Sequence, residues 1–301
     1  MQCPSWWLTL VMDIGVHFMN FTLPAGDSAI PAALADTAKA AEDAGFAWFT
    51  VMDHWFQMEA FAPATDPMLE GYTTLGYIAG QTERITLGTL VTGVTYRNPG
   101  LLVQTATTLD VLSRGRAMFG IGAAWYEREH RAHGVEFPPI AERFERLEET
   151  LQIAKQMWSG DEGPYEGRHY RLAETICRPA PVRGSLPILI GGGGERKTLR
   201  LVAEYGDICN LFGGDVEVVR HKIDVIRAHC EAVGRDFSEI KVTMQGNIGA
   251  DPFEDPRGFV EAARPYAALG VSHLQVRNPV ANVVEWAARL GREVVPALAE
   301  L

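Results

Sequence analysis

Eight times along this chain a short apolar run gives way to a pattern of helical period, and that alternation restricts the fold more than any other feature. The runs fall at 12–18, 46–52, 84–92, 116–122, 187–191, 207–212, 240–246 and 271–276. Between the first two, Ile30, Leu34, Ala38 and Ala41 share one helical face, with Pro31 near the start and Gly45 past the end. Further helices are expected near 71–81, 99–113, 195–205, 256–268 and 280–299, and Val219, Ile223, Ile226 and Cys230 mark another. Strand and helix in regular turn predict a parallel sheet covered by helices. The expected fold is a (β/α)8 TIM barrel, a single domain over 1–301. A doubly wound sheet of eight strands has the same periodicity, and the pattern alone does not separate the two.

Two segments lie outside the alternation. Met12 opens the first run, so residues 1–11 read as an N-terminal extension; they lack the positive region and small-residue cleavage site of a leader. Between the fourth and fifth runs lie roughly 64 residues, more than a normal βα connection needs. There Phe144, Leu147, Leu151, Ala154 and Trp158 form one helical stripe, and EGPYEGRHYRL predicts a hairpin with Gly167 near its turn. The region of about 126–186 is read as an insertion on the C-terminal rim, where barrels carry their chemistry.

Composition narrows the partners. A hydrophobic content of 47% supplies a large core, and a net charge of -11 argues against nucleic acid or an anionic membrane as the main partner. Cys3, Cys177, Cys209 and Cys230 are scattered, which fits a reducing compartment, and no apolar run approaches the roughly 20 residues of a membrane span. A cytoplasmic protein acting on a small molecule is expected.

In a barrel, the residues to inspect follow the strands. They are Met19 and Asn20 after the first, Asp53, His54 and Trp55 after the second, and Leu90-Val91-Thr92 in the third. Gly122, Ala123 and Trp125 follow the fourth, and Gly191, Gly192, Gly193 and Gly194 the fifth. The glycine run before a helix exposes bare N–H groups at a positive dipole end and suits an anion, with Arg196 beside it. It is not a P-loop, because Arg196 stands where the second glycine is required, and Gly120-Ile121-Gly122 lacks the third glycine of a dinucleotide fingerprint. Asp53-His54 reads either as an acid/base pair or as a rim histidine beside a turn cap. His130 and His133, with Glu127 and Glu136 nearby, read as a solvated helix face rather than a metal site. Trp55, Trp125 and Phe21 could equally wall a flat cofactor or pack the rim.

Several strings together carry a specific resemblance: AEDAGFAWFTVMDHW, RITLGTLVTGVTYRNPGLLVQTATTLDVLSRGRAMFGIGAAWYEREHRAHG, PPIAERFERLEETL and LPILIGGGGERKTLRLVAEYGDICN. Over about 12–250 the chain resembles the luciferase-like monooxygenase superfamily, in its branch of coenzyme F-420-dependent oxidoreductases. The resemblance implies a TIM barrel with an insertion after strand four, a homodimer, and coenzyme F-420 (8-hydroxy-5-deazaflavin) as cofactor, with FMN the alternative. It implies a non-prolyl cis peptide at Leu90-Val91 supporting the ring, and a phosphate held by the glycine loop. Leu90, Val91, Thr92, Gly122 and Ala123 are then expected at the ring, and Gly191 to Gly194 with Arg196 at the phosphate. His54, with Asp53, would be catalytic, and Met19, Asn20, Trp55 and Trp125 would line the substrate pocket. The family's sugar-phosphate dehydrogenases carry a glutamate soon after the strand-four glycines; Trp125 stands there in this chain, with Glu127 close by. Hydride transfer with His54 as proton donor or acceptor is the leading reading. An FMNH2-dependent monooxygenase is the second, and a cofactor-binding protein without activity the third.

Overall fold

The computed structural model describes residues 11–301, so the expected extension lies, but for Val11, outside the described residues. In chain order come β1 (Asp13–Phe18), α1 (Ile30–Asp43), β2 (Trp48–Val51), α2 (Gly71–Ala79), β3 (Thr86–Thr89), β4 (Thr92–Gly93), α3 (Pro99–Leu112) and β5 (Ala117–Gly122). The long connection carries α4 (Glu127–His133), α5 (Ile140–Ser159) and a hairpin of β6 (Tyr165–Glu166) and β7 (Arg171–Leu172). There follow β8 (Ile188–Gly191), α6 (Thr198–Tyr205), β9 (Ile208–Phe212), α7 (Val216–Val233), β10 (Lys241–Gln245), α8 (Pro256–Ala267), β11 (Val271–Arg277), α9 (Val283–Glu293) and α10 (Val295–Leu298).

Hydrogen bonding orders the sheet β3-β2-β1-β11-β10-β9-β8-β5-β4, and a further β3–β5 pairing joins its ends. This is the strand order of a (β/α)8 barrel, with β3 and β4 the two halves of its third strand; an open doubly wound sheet has no such closing pair. The chain divides into two compact units, one running to Phe49 and resuming over Leu189–Leu301, the other Thr50–Ile188.

In the first unit β1, β11, β10, β9 and β8 pair in parallel, Asp13 opposite His273 and Gly15 opposite Gln275. Gly15 has to be glycine, because a Cβ there would lie 2.8 Å from Gln275 Oε1 and 2.9 Å from His273 Nε2. Asp215 caps α7 by accepting from Glu217 N–H, and Gly234 ends that helix at φ 71°, a left-handed conformation glycine adopts without a Cβ penalty. The expected last helix is broken into α9 and α10 around Val294, where Pro296 removes a helical N–H.

In the second unit the third strand is interrupted where the sequence suggested one run. The Leu90-Val91 peptide is cis, at the position the resemblance implies. Thr89 Oγ1 spans the interruption, 2.9 Å from Thr92 Oγ1 and 3.0 Å from the Gly120 carbonyl. Gly120 permits this approach, since a Cβ there would sit 2.0 Å from the Thr89 carbonyl oxygen. Leu147, Leu151, Ala154 and Trp158 of α5 are buried. Trp158 meets Phe119 of β5 edge-on at 5.7 Å, and its indole N–H donates to Thr107 Oγ1 of α3 at 3.0 Å. α5 therefore takes the place of the barrel's ordinary fourth helix, and the surplus chain shrinks to the segments on either side of it. The Glu149 carboxylate accepts from the backbone N–H groups of Arg168, His169 and Tyr170 and so holds the β6–β7 turn.

Candidate active site

Asp53 and His54 follow β2, and the two neighbours are held by different partners. The Asp53 carboxylate is buried and takes Arg97 side-on, Nη1 to Oδ2 at 2.5 Å and Nη2 to Oδ1 at 2.9 Å. Arg97 also pairs with Glu70 and lies over the Tyr72 ring, 5.0 Å from its centroid. Glu70 caps α2 through the N–H groups of Tyr72 and Thr73, so the Arg97 network fastens the start of that helix to the end of β2. With both oxygens committed, Asp53 has the geometry of an anchor rather than of a proton carrier.

His54 turns to the short helix α4. Its Nδ1 lies 2.7 Å from Oε1 of Glu129, and both side chains are buried. Tyr96 donates its hydroxyl to the same oxygen, while Glu129 Oε2 accepts from Trp55 N–H at 2.8 Å and Phe56 N–H at 3.2 Å. Burial pushes the Glu129 carboxyl up, but His54, by hydrogen bond and charge, then Tyr96 and the Trp55 N–H outweigh it and hold it below the usual range. Burial and the Glu129 charge push the Tyr96 phenol upward, so it stays a donor. His54 Nε2 has no partner among the described residues.

Aromatic rings close round the imidazole. Trp125 stands 5.5 Å from it at 72° and stacks on Tyr126 at 4.9 Å and 17°. Trp125 is 57% exposed, whereas Tyr126 is buried and donates to Glu59 at 2.5 Å. Trp55 instead packs on Tyr96, 4.5 Å between centroids, and against His130 and His133.

The expectation of a solvated face for α4 is half wrong. His133 is exposed, but His130 is buried, donating through Nδ1 to the Tyr126 carbonyl at 2.7 Å and accepting through Nε2 from Thr95 Oγ1 at 2.6 Å. Glu127 points outward to Arg131 at 2.7 Å. Glu129, Tyr96 and Arg97 went unread in the sequence. In a seven-residue helix with no apolar stripe, the face turned inward is polar and gives no periodic signal.

Leu90 and Thr92 are buried and Val91 is half-buried. Gly122 ends β5 and Ala123 follows it, and the carbonyl of Ala124 accepts from Arg143 at 2.6 Å. In the first unit, Met19 and Asn20 are tied through their N–H groups to Asn278 Oδ1, and the Asn20 side chain accepts from Thr22 N–H, so it faces its own turn.

The glycine turn differs from expectation in two respects. Gly192 N–H is already committed to the Asn210 carbonyl at 3.0 Å, and α6 begins at Thr198 rather than 195. Glu195 is drawn away by Lys222 at 2.5 Å and His221 at 3.2 Å, which keeps 195–197 in a turn. The amides of Gly193 and Gly194 make no hydrogen bond among the described residues. A Cβ on Gly193 would meet only Lys222 Cε, at 3.8 Å, while one on Gly194 would meet Thr198 Oγ1 at 3.0 Å. Two uncommitted N–H groups on a small turn with a lysine beside it fit an anionic group. Gly191 is the last residue of β8, and Arg196 is exposed next to the turn.

The chain is 33% identical over 270 residues to the F-420-dependent glucose-6-phosphate dehydrogenase of Kineococcus radiotolerans, covering 88% of this chain and 76% of that protein. The corresponding protein of Mycolicibacterium fortuitum is 31% identical over 254 residues, 80% of this chain and 71% of the relative. Among solved structures, an F-420-dependent secondary alcohol dehydrogenase with an F-420–acetone adduct superposes with a TM-score of 0.79 at 18% identity, over 96% of this chain and 99% of the other. The coenzyme F-420-dependent tetrahydromethanopterin reductase of Methanopyrus kandleri gives 0.76 at 18% over the same shares. The family model described as luciferase-like monooxygenase matches residues 12–288. The chain belongs to the luciferase-like monooxygenase family.

Proposed function

We propose that this protein is a coenzyme F-420-dependent oxidoreductase acting on a small organic molecule, with His54 as the proton donor or acceptor. The observation that carries the reading is His54 itself: an imidazole fixed through Nδ1 by a buried carboxylate, with Nε2 uncommitted beside exposed Trp125. The relatives named for F-420-dependent dehydrogenation supply the cofactor. When bound, coenzyme F-420 supplies two-electron hydride chemistry. Gly193 and Gly194 would hold its phosphate, with Lys222 exchanging Glu195 for the anion, and Leu90, Val91 and Thr92 would support its ring. His54 holds or releases the proton that accompanies oxidation or reduction, at Nε2. Trp125 and Tyr126 give the imidazole an aromatic wall that limits water around it.

The relatives' substrate is glucose 6-phosphate, but Trp125 occupies the place of the sugar-phosphate enzymes' glutamate and Glu127 is engaged by Arg131. The reading is therefore an alcohol or carbonyl substrate other than a sugar phosphate. A homodimer, which the resemblance implies, is proposed as well; sedimentation would reveal it. Among the described residues no helix is long and apolar enough to cross a membrane.

Titration of the purified protein with coenzyme F-420 and with FMN tests the cofactor. Saturable binding of coenzyme F-420 at least tenfold tighter than FMN is expected; the opposite preference would turn the reading to a flavin monooxygenase.

A further inference from the structure

The Glu129 carboxylate is buried and meets hydrogen-bond donors on both oxygens. Oε1 faces His54 Nδ1 and the Tyr96 hydroxyl, and Oε2 faces the Trp55 and Phe56 N–H groups. An ionised carboxylate only accepts, so the proton in the His54–Glu129 hydrogen bond belongs to Nδ1. In the neutral ring the lone pair then lies on Nε2, the nitrogen with no partner among the described residues. A buried carboxylate left without donors is strongly disfavoured, which makes the arrangement self-consistent only when all its donors are in place.

We infer that Glu129 is a positioning residue that holds His54 in the Nδ1–H tautomer, so that a proton enters or leaves the ring only at Nε2, with Tyr96 keeping the carboxylate in register. The inference rests on the assignment of proton transfer to His54, and it goes beyond that assignment by naming the group that sets the ring's polarity. The backbone N–H groups of Trp55 and Phe56 cannot become acceptors, whereas a histidine can exchange tautomers and a tyrosine hydroxyl can rotate. An amide placed at position 129 therefore turns its oxygen to the two backbone N–H groups and its NH2 to the ring. His54 Nδ1 is then made an acceptor and Nε2 a donor. A role confined to tying the β2 loop to α4 would leave the tautomer untouched, since the amide oxygen still serves both backbone groups.

The test is nitrogen-15 NMR of histidine-labelled protein without added cofactor, with the His54 signals identified by their loss in His54→Asn. The wild type is expected to show Nδ1 protonated and Nε2 not; Glu129→Gln is expected to reverse this, and Tyr96→Phe to keep the wild-type tautomer. With coenzyme F-420 bound, Glu129→Gln should lower kcat by roughly 10²–10⁴-fold, the range for a general acid–base group put in the wrong tautomer. Its affinity for the cofactor should stay within about twofold, and one limb of the pH–rate profile should be lost. Nδ1 found unprotonated in the wild type overturns the inference, even where Glu129→Gln does not fold, and so does an unchanged tautomer in Glu129→Gln. A reversed tautomer with unchanged kcat instead overturns proton transfer by His54 and leaves the role of Glu129 standing.

Discussion

Arg97 and Asp53 meet as a two-pronged pair, the guanidinium edge laid along the carboxylate with contacts of 2.5 and 2.9 Å, and the acid is shut off from solvent. Each charge compensates the other's loss of water, so removing one strands its partner. Asp53→Asn is expected to cost about 3 kcal/mol of stability, toward the lower end for a buried pair because Glu70 still reaches Arg97. Arg97→Lys should be nearly as damaging, because an ammonium cannot supply the parallel pair of donors. Urea unfolding measures both, and a wild-type midpoint in either variant would show that the pair is not a structural fastener.

The glycine turn gives a binding prediction. The net charge of -11 opposes an anion at long range, so attraction has to come from contacts inside the Debye length of about 8 Å. A side chain at Gly193 finds open space in the protein but covers its own N–H group. Gly193→Val is expected to weaken coenzyme F-420 binding about tenfold or more, equivalent to about 1.4 kcal/mol, with an unchanged melting temperature. Gly192→Val should instead lower stability, because its φ of 119° suits only glycine. Fluorescence titration beside thermal melts separates the two.

Replacing the imidazole should give the converse result. His54→Ala is expected to slow turnover by roughly 10²–10⁴-fold with little change in cofactor affinity. Loss of binding at unchanged stability would make His54 a cofactor ligand instead.

Acid sensitivity is expected from the bottom of β11. His273 is fully buried, bonded through Nδ1 to Asp13 and stacked on Trp48 at 3.8 Å, with Lys241 2.9 Å from the other Asp13 oxygen. Burial holds the His273 imidazole below the usual histidine range, more than the Asp13 charge raises it. An unfolded histidine takes its proton near 6.5, while the native ring waits for lower pH, so the unfolded chain binds more protons in between. Stability from this group is full above about 6.5 and drains away as pH falls below it. Asp13 acts in the same direction at lower pH: burial alone would raise its carboxyl, but His273 and Lys241 outweigh that and depress it. Denaturation midpoints measured from pH 7.5 down to 5 should fall, and His273→Gln should flatten that slope. A flat wild-type profile would mean the buried imidazole is already charged.

Some barrel strands were legible because they are buried on both faces and read as near-continuous apolar runs, as AMFGIG of β5 shows, whereas KVTMQ of β10 and VSHLQVR of β11 carry polar residues and were legible from their place in the alternation. Asp53 and His54 were legible by position, at the end of such a run. Their partners were not. Arg97 lies 44 positions from Asp53, and Glu129 75 from His54, and in sequence each looks like an ordinary surface charge. The break within the third strand was visible only through the family resemblance, since RITLGTLVTG has one unbroken apolar character. The late start of α6 depends on Glu195 being drawn to Lys222 on the next helix, a contact that local propensity does not encode.

The β6–β7 turn is gripped by Glu149 through main-chain amides alone, and Gly167 leaves no room there for a side chain, a Cβ falling 2.3 Å from Glu149 Oε2. Side chains add to that grip, Tyr165 donating to Gln152 at 2.7 Å while Arg168 and His169 reach Glu145 at 2.9 and 2.7 Å, all on α5. The hairpin is thus stitched to one helix by two kinds of thread, and a sequence grafted onto it keeps its seat only where Gly167 and those three side chains are carried over.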